Sequence, residues 1–570
     1  MRDDARTILP AVLLLTLAVL AAFLPSLGYG FAPIDDESNI LDNPSFRGFG
    51  KAQLRWMFTT RHGGHFIPLT WMTLALDYTL EGLRPRAYHR TSLLFHLGTA
   101  LLFLLLVARL LRDEGRAGPA VAGALAAALA FAVHPLRVES VVWISERRDV
   151  VCGFFSMLAL HAYVSAARAE DAGRRRRFLL AASALFAAAL LSKGIALGLL
   201  AAFVALDVTL LRRLPPHPSR WWRPEHRPVL MEKAGLLAVA ALSAVATLFA
   251  IGYVLSPLRT VGFGPRLAAM VYGLTFYVQK TVVPWPLPLL VYRTGMLRLS
   301  DPEVLVRALL LAGAVLAVVA VRRRAPGLAA ASATYAAFAL PVSGILQAGP
   351  QLVAHRYSYL SCLSWAVLLG WAVCRWLQRG GRRREAAAAA CGVALGAGLV
   401  VLTRAQAALW RDPVVFSTAA AAASPAAWQP RYTLAGAHLR AGRWGEAVQQ
   451  LRVGLARNPG APPLLNMAAL LLATCPDDRF RSAAEARVLA DRLQRIVGGD
   501  DPWALLTLSA ARAEGGDFAG ASAAAAQGLA AAGGPDAPAA VRLRAALVGY
   551  AAARPLRMAP ADWGEDRLAP

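Results

Sequence analysis

The chain has 570 residues, 57% of them hydrophobic and only 17% charged, too apolar a balance for a soluble protein of this size. A helix needs about 20 apolar residues to cross the hydrocarbon core of a bilayer. Blocks of that kind recur from the N-terminus to about residue 403 and then stop, so the chain divides into two regions meant for different solvents. The net charge of +25 would suit nucleic acid, but its placement excludes that class. The basic residues are nearly all arginines gathered in short segments between apolar blocks: Arg112 and Arg116, Arg174 to Arg177, Arg212 to Arg227, Arg322 to Arg324, and Arg382 to Arg384. That is the positive-inside pattern of a membrane protein, with no basic face or reading motif beside it. The cysteines, Cys152, Cys362, Cys374, Cys391 and Cys475, show neither metal-ligand spacing nor a paired framework.

In chain order the predicted spans are 8–27, 91–110, 119–133, 150–166, 178–192, 195–211, 233–255, 303–321, 327–346, 358–378 and 386–403, eleven in all. The stretch 267–283 is also apolar, but it carries Gln279 and Lys280 and runs into Pro284-Trp-Pro286-Leu-Pro288. It reads as an interfacial or re-entrant helix. With the N-terminus inside and this stretch not crossing, every arginine cluster falls on the cytoplasmic side; counting it as a span turns the last two outward. The first span has the basic start of a secretory signal but is long, and no small-x-small cleavage site precedes Gly28, so it is expected to be retained. The loop 28–90 and everything after residue 403 are then extracytoplasmic.

From about residue 410 the sequence becomes Ala-rich with a 3.6-residue period, interrupted by Gly and Pro. Leu434, Gly442-Arg-Trp444-Gly-Glu-Ala447, Leu451 and Pro459 match the TPR pattern of helix, Gly turn, and helix with Ala at the crossing. Leu508, Gly516-Asp-Phe518-Ala-Gly-Ala521 and Gly528 repeat that register 74 residues later. One 34-residue unit plus a short insertion fits between them, in the irregular stretch 464–497. The expected fold is all-α: a polytopic membrane domain over 1–405, a TPR-like α-solenoid over 410–556, and a tail over 557–570.

The residues able to do chemistry sit where apolar blocks end. The loop 28–90 opens with Asp35-Asp36-Glu37 just past the first span. Three successive acids in water can be a solvated loop, or can hold a carboxylate at the lipid boundary to take a proton from a hydroxyl or to bind a metal. His65, His89, His134, Arg137, Glu139, Glu146, Arg147, Arg148, Asp149, Lys193, His355, Arg356 and Tyr357 all fall at the same, external ends of spans. Each alone reads as an interfacial anchor. Together they describe a cavity whose cations could bind a lipid phosphate while an acid activates a hydroxyl. His96, inside the second span, reads as a packing histidine. The sequence calls for no cofactor; a divalent ion, if one is used, would sit on Asp35 and Asp36.

These strings resemble the multi-span glycosyltransferases of the GT-C class, most closely the membrane-plus-TPR O-mannosyltransferase-like proteins called TMTC in animals, with bacterial relatives. The matching stretches are Asp35-Asp36, Pro68-Leu-Thr70-Trp71 through Asp77-Tyr78, Gly82-Leu83, His89 and His96. They continue with His134-Pro-Leu-Arg-Val-Glu-Ser140, Glu146-Arg-Arg-Asp149, Leu191-Ser-Lys193, Arg356-Tyr-Ser-Tyr359 and Trp410-Arg-Asp412. The resemblance implies a GT-C-like fold and inverting transfer of a sugar from a polyprenyl-phosphate donor to a hydroxyl outside the cytoplasm. In the family the acidic pair of the first external loop is the catalytic motif, which carried over makes Asp35 or Asp36 the general base. Arg147, Arg148, Lys193 or Arg356 would offset charge on the departing phosphate, and the helical array would present a protein acceptor. Lys193 is followed by Gly194 where relatives often differ, and His355 stands where an acid is common, so mannose is only the leading expectation for the sugar.

Two other function classes fit less well. A non-enzymatic envelope scaffold would need the spans only as an anchor, and a transporter or flippase would call for ionisable groups at mid-membrane depth. The arginine- and alanine-rich, lysine-poor composition points to a GC-rich bacterial source, hence an inner membrane with the helical array in the periplasm.

Overall fold

The computed structural model describes residues 2–251, 261–292, 297–345, 351–534 and 537–563. The ends of the predicted spans 233–255 and 327–346, and the last part of the tail, lie outside those residues. Apart from two short extended segments, Val291–Tyr292 and Gln351–Val353, the described chain is built from helices, as an all-α reading expects. It forms two compact units. One comprises Met1–Phe31, Asn43–Leu287 and Gly295–Arg411; the other comprises Ala32–Asp42, Pro288–Thr294 and Asp412–Pro570. The sequence boundaries place all of 28–90 in the membrane domain, whereas Ala32–Asp42, which carries Asp35, Asp36 and Glu37, groups with the C-terminal helices.

In the first unit each predicted span is mostly helical, although 209–211 and 343–345, at the ends of the spans 195–211 and 327–346, are turns and bends. Five helices are long and apolar enough to cross a bilayer: Thr7–Gly28, Pro85–Leu111, Ile144–Ala167, Pro302–Val321 and Arg382–Ala408. Three more qualify only as bent pairs, among them Ala117–Ala132 with Pro135–Val142, which turns by 54° at His134-Pro135. The break has a local cause, because Pro135 cannot donate the backbone hydrogen bond that would continue the helix. The remaining segments of the eleven are shorter helices, or, in Ala172–Ser192, begin with the four arginines Arg174 to Arg177. Chain length and hydropathy therefore support an integral membrane protein with five to eight spans of full length. The stretch 267–283 is one helix, Phe263–Val282, outside that set.

Close helix crossings hold this unit together. Ala117–Ala132 packs along Leu363–Gln378, where a methyl added at Gly370 would come within 2.6 Å of the Gly123 carbonyl, and one added at Gly123 would strike the Gly370 carbonyl. Two facing glycines let the backbones touch. Lipid is as apolar as Leu, so helix association in a membrane relies on such dispersion contact. Gly153 and Gly198 make room instead for aromatic side chains, the rings of Tyr359 and Phe338.

In the second unit consecutive helices pack on their neighbours from Pro413–Ala423 to Pro538–Ala551, and Pro462–Thr474 also packs on Pro502–Glu514. The 74-residue repeat has a structural counterpart. Gly442 and Gly516 take φ of 69° and 84° in their turns, a conformation that favours glycine. Trp444–Arg457 and Phe518–Ala531 follow, each 14 residues long, with Ala447 and Ala521 fully buried. Gly454 and Gly528 lie against Leu464 and Leu505 respectively. Between them the turn 475–482, within the irregular stretch 464–497, is longer than 441–443 or 515–517 and contains the one-turn helix Asp478–Phe480.

Candidate active site

The first unit gathers most of the predicted polar residues into one buried group. Helix Arg147–Ala167 starts after a tight turn, Ile144–Glu146, so Glu146, Arg148 and Asp149 leave the backbone within one turn of each other. Glu146 is fully buried and anchors the group. It takes two hydrogen bonds from the Arg148 guanidinium, one of them 2.9 Å from Nε, another of 3.0 Å from Lys193 Nζ, and pairs with Arg356 Nε at 3.0 Å. Lys193 bridges to Asp149 at 2.7 Å, and Asp149 also accepts from Ser140 Oγ at 3.0 Å. Glu139 closes the ring by accepting the Arg356 backbone N–H at 2.9 Å. Arg356 lies over the rings of Trp143 and Tyr357, at 5.2 and 5.0 Å from their centroids.

Desolvating this many charges is costly, and only mutual pairing makes it tolerable. Glu146 is shared among Arg148, Lys193 and Arg356, while Asp149 also holds Lys193 and Glu139 also holds Arg356. Arg137 donates to Ser358 Oγ at 2.8 Å, lies over Phe131 and Tyr359 and pairs with no carboxylate among the described residues. It lies within electrostatic reach of Asp149, and counted with it the group has four cations to the three carboxylates Glu139, Glu146 and Asp149. Lys193 and Arg148 each keep 12% of the side chain exposed while Glu146 keeps none, so the positive groups reach nearer the surface. An arrangement of fixed donors with one excess positive charge suits an oxyanion.

The histidines divide. His65 lies close enough to this group to feel it: the neighbouring Arg148 and then burial hold its imidazole well below the usual 6.5, Lys193 and Arg356 add to the effect, and Glu146 opposes it. His355 is buried and stacked on Phe276, with its Nδ1 4.0 Å from Glu139 and no hydrogen-bond partner among the described residues. The other three are occupied. His89 contacts the Gly30 carbonyl at 3.2 Å; His134 Nδ1 accepts from the Leu136 N–H, so its Nε2 donates to the Thr281 carbonyl at 3.2 Å. His96 is shared between the Tyr359 hydroxyl and the Ala132 carbonyl, the packing role expected of it.

Arg147 turns to a different partner set. It pairs with Asp77 at 2.5 Å and donates to Ser92 Oγ and to the Thr73 and Tyr88 carbonyls, with no side-chain surface exposed. Thr91 fills the other Asp77 oxygen at 2.6 Å. Arg147 thus ties Pro68–Glu81 to Pro85–Leu111, while Arg148 faces Glu146. Asp77 was not singled out for this role, although an acid in the buried stripe Thr70, Trp71, Leu74, Asp77 was the available signal.

The acidic triplet belongs to the second unit, and its members differ. Asp36 is fully buried and its Oδ2 accepts the Ala32 N–H at 2.8 Å, which shapes the turn. Asp35 is exposed, and its φ of 50° is a conformation that L residues other than Asn and Asp seldom adopt. Glu37 faces Arg440 at 3.8 Å. Because one aspartate is exposed and the other fully buried, they do not present a matched pair of ligands. Among the described residues no group of three or more His, Cys, Asp or Glu is placed to hold a metal ion.

No protein-family model matches the chain. It is 32% identical over 162 residues to the protein O-mannosyl-transferase TMTC3 of Mus musculus, a match covering 27% of this chain and 16% of that protein. To the human protein O-mannosyl-transferase TMTC4 it is 32% identical over 111 residues, covering 18% of this chain and 15% of that one. The match therefore spans about a sixth of the length of these relatives, and over it the resemblance read from the ordered motifs is borne out. Among solved structures, ArnT from Cupriavidus metallidurans bound to undecaprenyl phosphate aligns with 98% of this chain and 89% of its own, at 14% identity and a TM-score of 0.36. A score that low does not establish a common fold.

Proposed function

We propose that the chain is a membrane glycosyltransferase that moves a sugar, with mannose the leading candidate, from a polyprenyl-phosphate donor to a hydroxyl, in keeping with its similarity to O-mannosyl-transferases. The observation that carries the reading is the buried group of four cations and three carboxylates around Glu146, which offers preformed donors for an oxyanion. In the proposed reaction the acceptor oxygen attacks the anomeric carbon and its proton passes to a carboxylate. The bond from that carbon to the lipid phosphate oxygen breaks with inversion. The phosphate keeps the electron pair, and Arg148, Lys193 and Arg356 offset its charge. The base is Asp35 or Asp36, of which Asp35 is exposed while Asp36 is buried and accepts from the Ala32 N–H. In this reading the helical array resembles a TPR solenoid that presents a protein Ser or Thr, and the reaction takes place on the periplasmic side of a bacterial inner membrane.

The test is the mass added to a co-expressed secreted protein in cells with and without the chain. Asp35→Asn is expected to lower transfer by about 10²–10⁴-fold, the usual contribution of general base catalysis. Asp36→Asn, which keeps an acceptor for Ala32, is expected to cost less. Unchanged transfer in both single variants and in the double variant would rule out the acid pair as the catalytic motif.

A further inference from the structure

The first unit contains a second feature, at the arginine-rich ends of its helices and independent of the transferase reading. A cavity of about 1100 Å³ opens among Pro85–Leu111, Arg147–Ala167, Leu199–Val208, Pro326–Ala339 and Leu363–Gln378. Its walls are apolar, including Phe103, Leu106, Leu160, Phe338 and Leu363, and Arg212, Arg213, Arg324 and Arg375 also line it. None of Arg137, Glu139, Glu146, Arg148, Asp149, Lys193 and Arg356 lines the cavity, which is therefore a feature distinct from the Glu146 group.

Its volume exceeds the ~300–1,000 Å³ of ordinary small-molecule sites. At roughly 30 Å³ per water-sized group it takes on the order of 35 carbons, the content of two acyl chains and less than a long polyprenyl tail. The cationic side is built firmly. Arg213 is clamped by Asp207 at 3.0 Å and by Glu232, and Asp207 is itself held by Lys233 at 2.5 Å and the Tyr163 hydroxyl at 2.6 Å. The neighbouring Arg212 is set at a φ of 54°. Trp371, which also lines the cavity, is 42% exposed, as suits a side chain at a membrane interface. Basic pockets between membrane helices are suited to anionic headgroups.

We propose that this cavity holds an anionic phospholipid, its acyl chains against the apolar walls and its phosphate among Arg212, Arg324 and Arg375. The test uses the full chain purified into nanodiscs and transferred to detergent, with retained lipid read by native mass spectrometry. Phosphatidylglycerol is expected to stay bound at least tenfold better than phosphatidylcholine. The Arg324→Gln/Arg375→Gln double variant should lose that preference, and Ala330→Phe should lower retention of both lipids. In the unmodified chain, a phosphatidylglycerol with a photoreactive acyl chain should crosslink within 199–216, 324–338 or 360–375. Equal retention of the two lipids, crosslinks confined to other segments, or displacement of phosphatidylglycerol by equimolar undecaprenyl phosphate would each overturn the proposal.

Discussion

The first unit contains two buried ionic networks that differ in one respect. Around Asp207, two carboxylates, Asp207 and Glu232, meet two cations, Lys233 and Arg213, with the Tyr163 hydroxyl as a fifth member. Around Glu146 the cations outnumber the carboxylates by one once Arg137 is included. A balanced network satisfies itself and fastens helices together. An unbalanced one is left with capacity for an anion from outside. Burial and short distances are common to both, so charge count separates a fastening from a binding site here.

The comparison breaks or sharpens at single residues. Asp207→Ala should have the largest effect on stability, about 3–5 kcal/mol, because it leaves Lys233 buried without its carboxylate and Arg213 with Glu232 alone. Thermal unfolding in detergent checks this, and adding Lys233→Met should restore part of the loss. If the single variant melts like the wild type, the network is not a fastening. Lys193→Met acts on the other side of the comparison. Transfer should fall by about 10²–10³-fold, the usual cost of one lost oxyanion donor. Unfolding should shift less than in Asp207→Ala, since Glu146 keeps Arg148 and Arg356 and Asp149 keeps the Ser140 hydroxyl. The reverse pattern, with melting lost and transfer kept, would make the Glu146 group the structural one.

Next in size is Gly123→Ala. The added methyl meets the Gly370 carbonyl, and backbone cannot swing aside as a side chain can, so a cost of about 1–3 kcal/mol is expected. Gly528→Ala meets only Leu505 Cβ at 3.0 Å and the mobile methyls of Leu543, and should cost less. Proteolysis followed across a thermal ramp resolves the two units and checks both.

These sites also mark how far the sequence could be read. Helix positions came from apolar block length, and the 74-residue register at Gly442 and Gly516 came from turn chemistry, because both signals are local. The residues of the Glu146 group were recognisable as chemistry-bearing for the same reason: each is a charge at the end of an apolar block. What the sequence could not supply was pairing. Arg147 and Arg148 are adjacent and identical in type, yet one meets Asp77, seventy residues earlier, and the other meets Glu146. In the sequence Asp207 is a single acid within an apolar block, and only the fold brings Lys233 and Tyr163 beside it. Nor did composition reveal that Ala32–Asp42 groups with helices four hundred residues later, since that depends on long-range contact such as Glu37 with Arg440.

The smallest expected effect is a dependence on pH, and it tests whether the excess positive charge around Glu146 is felt by its neighbours. His65 has a folded pKa held well below 6.5, first by Arg148 and then by burial. In the unfolded chain the imidazole titrates near 6.5. Between that value and the lower folded one, the unfolded state carries the proton and the folded state does not, so stability rises with pH. It is fully present above about 6.5 and is lost as pH falls toward the folded value, with a slope of at most about 1.4 kcal/mol per pH unit. Unfolding midpoints measured from pH 7 to pH 5 should therefore fall more steeply for the wild type than for His65→Gln. In Arg148→Gln the imidazole loses its nearest opposing charge, and the His65 contribution should move to lower pH dependence. Parallel curves for wild type and His65→Gln would mean that the cations are neutralised in place, and the Glu146 group would then have no charge left over for a phosphate.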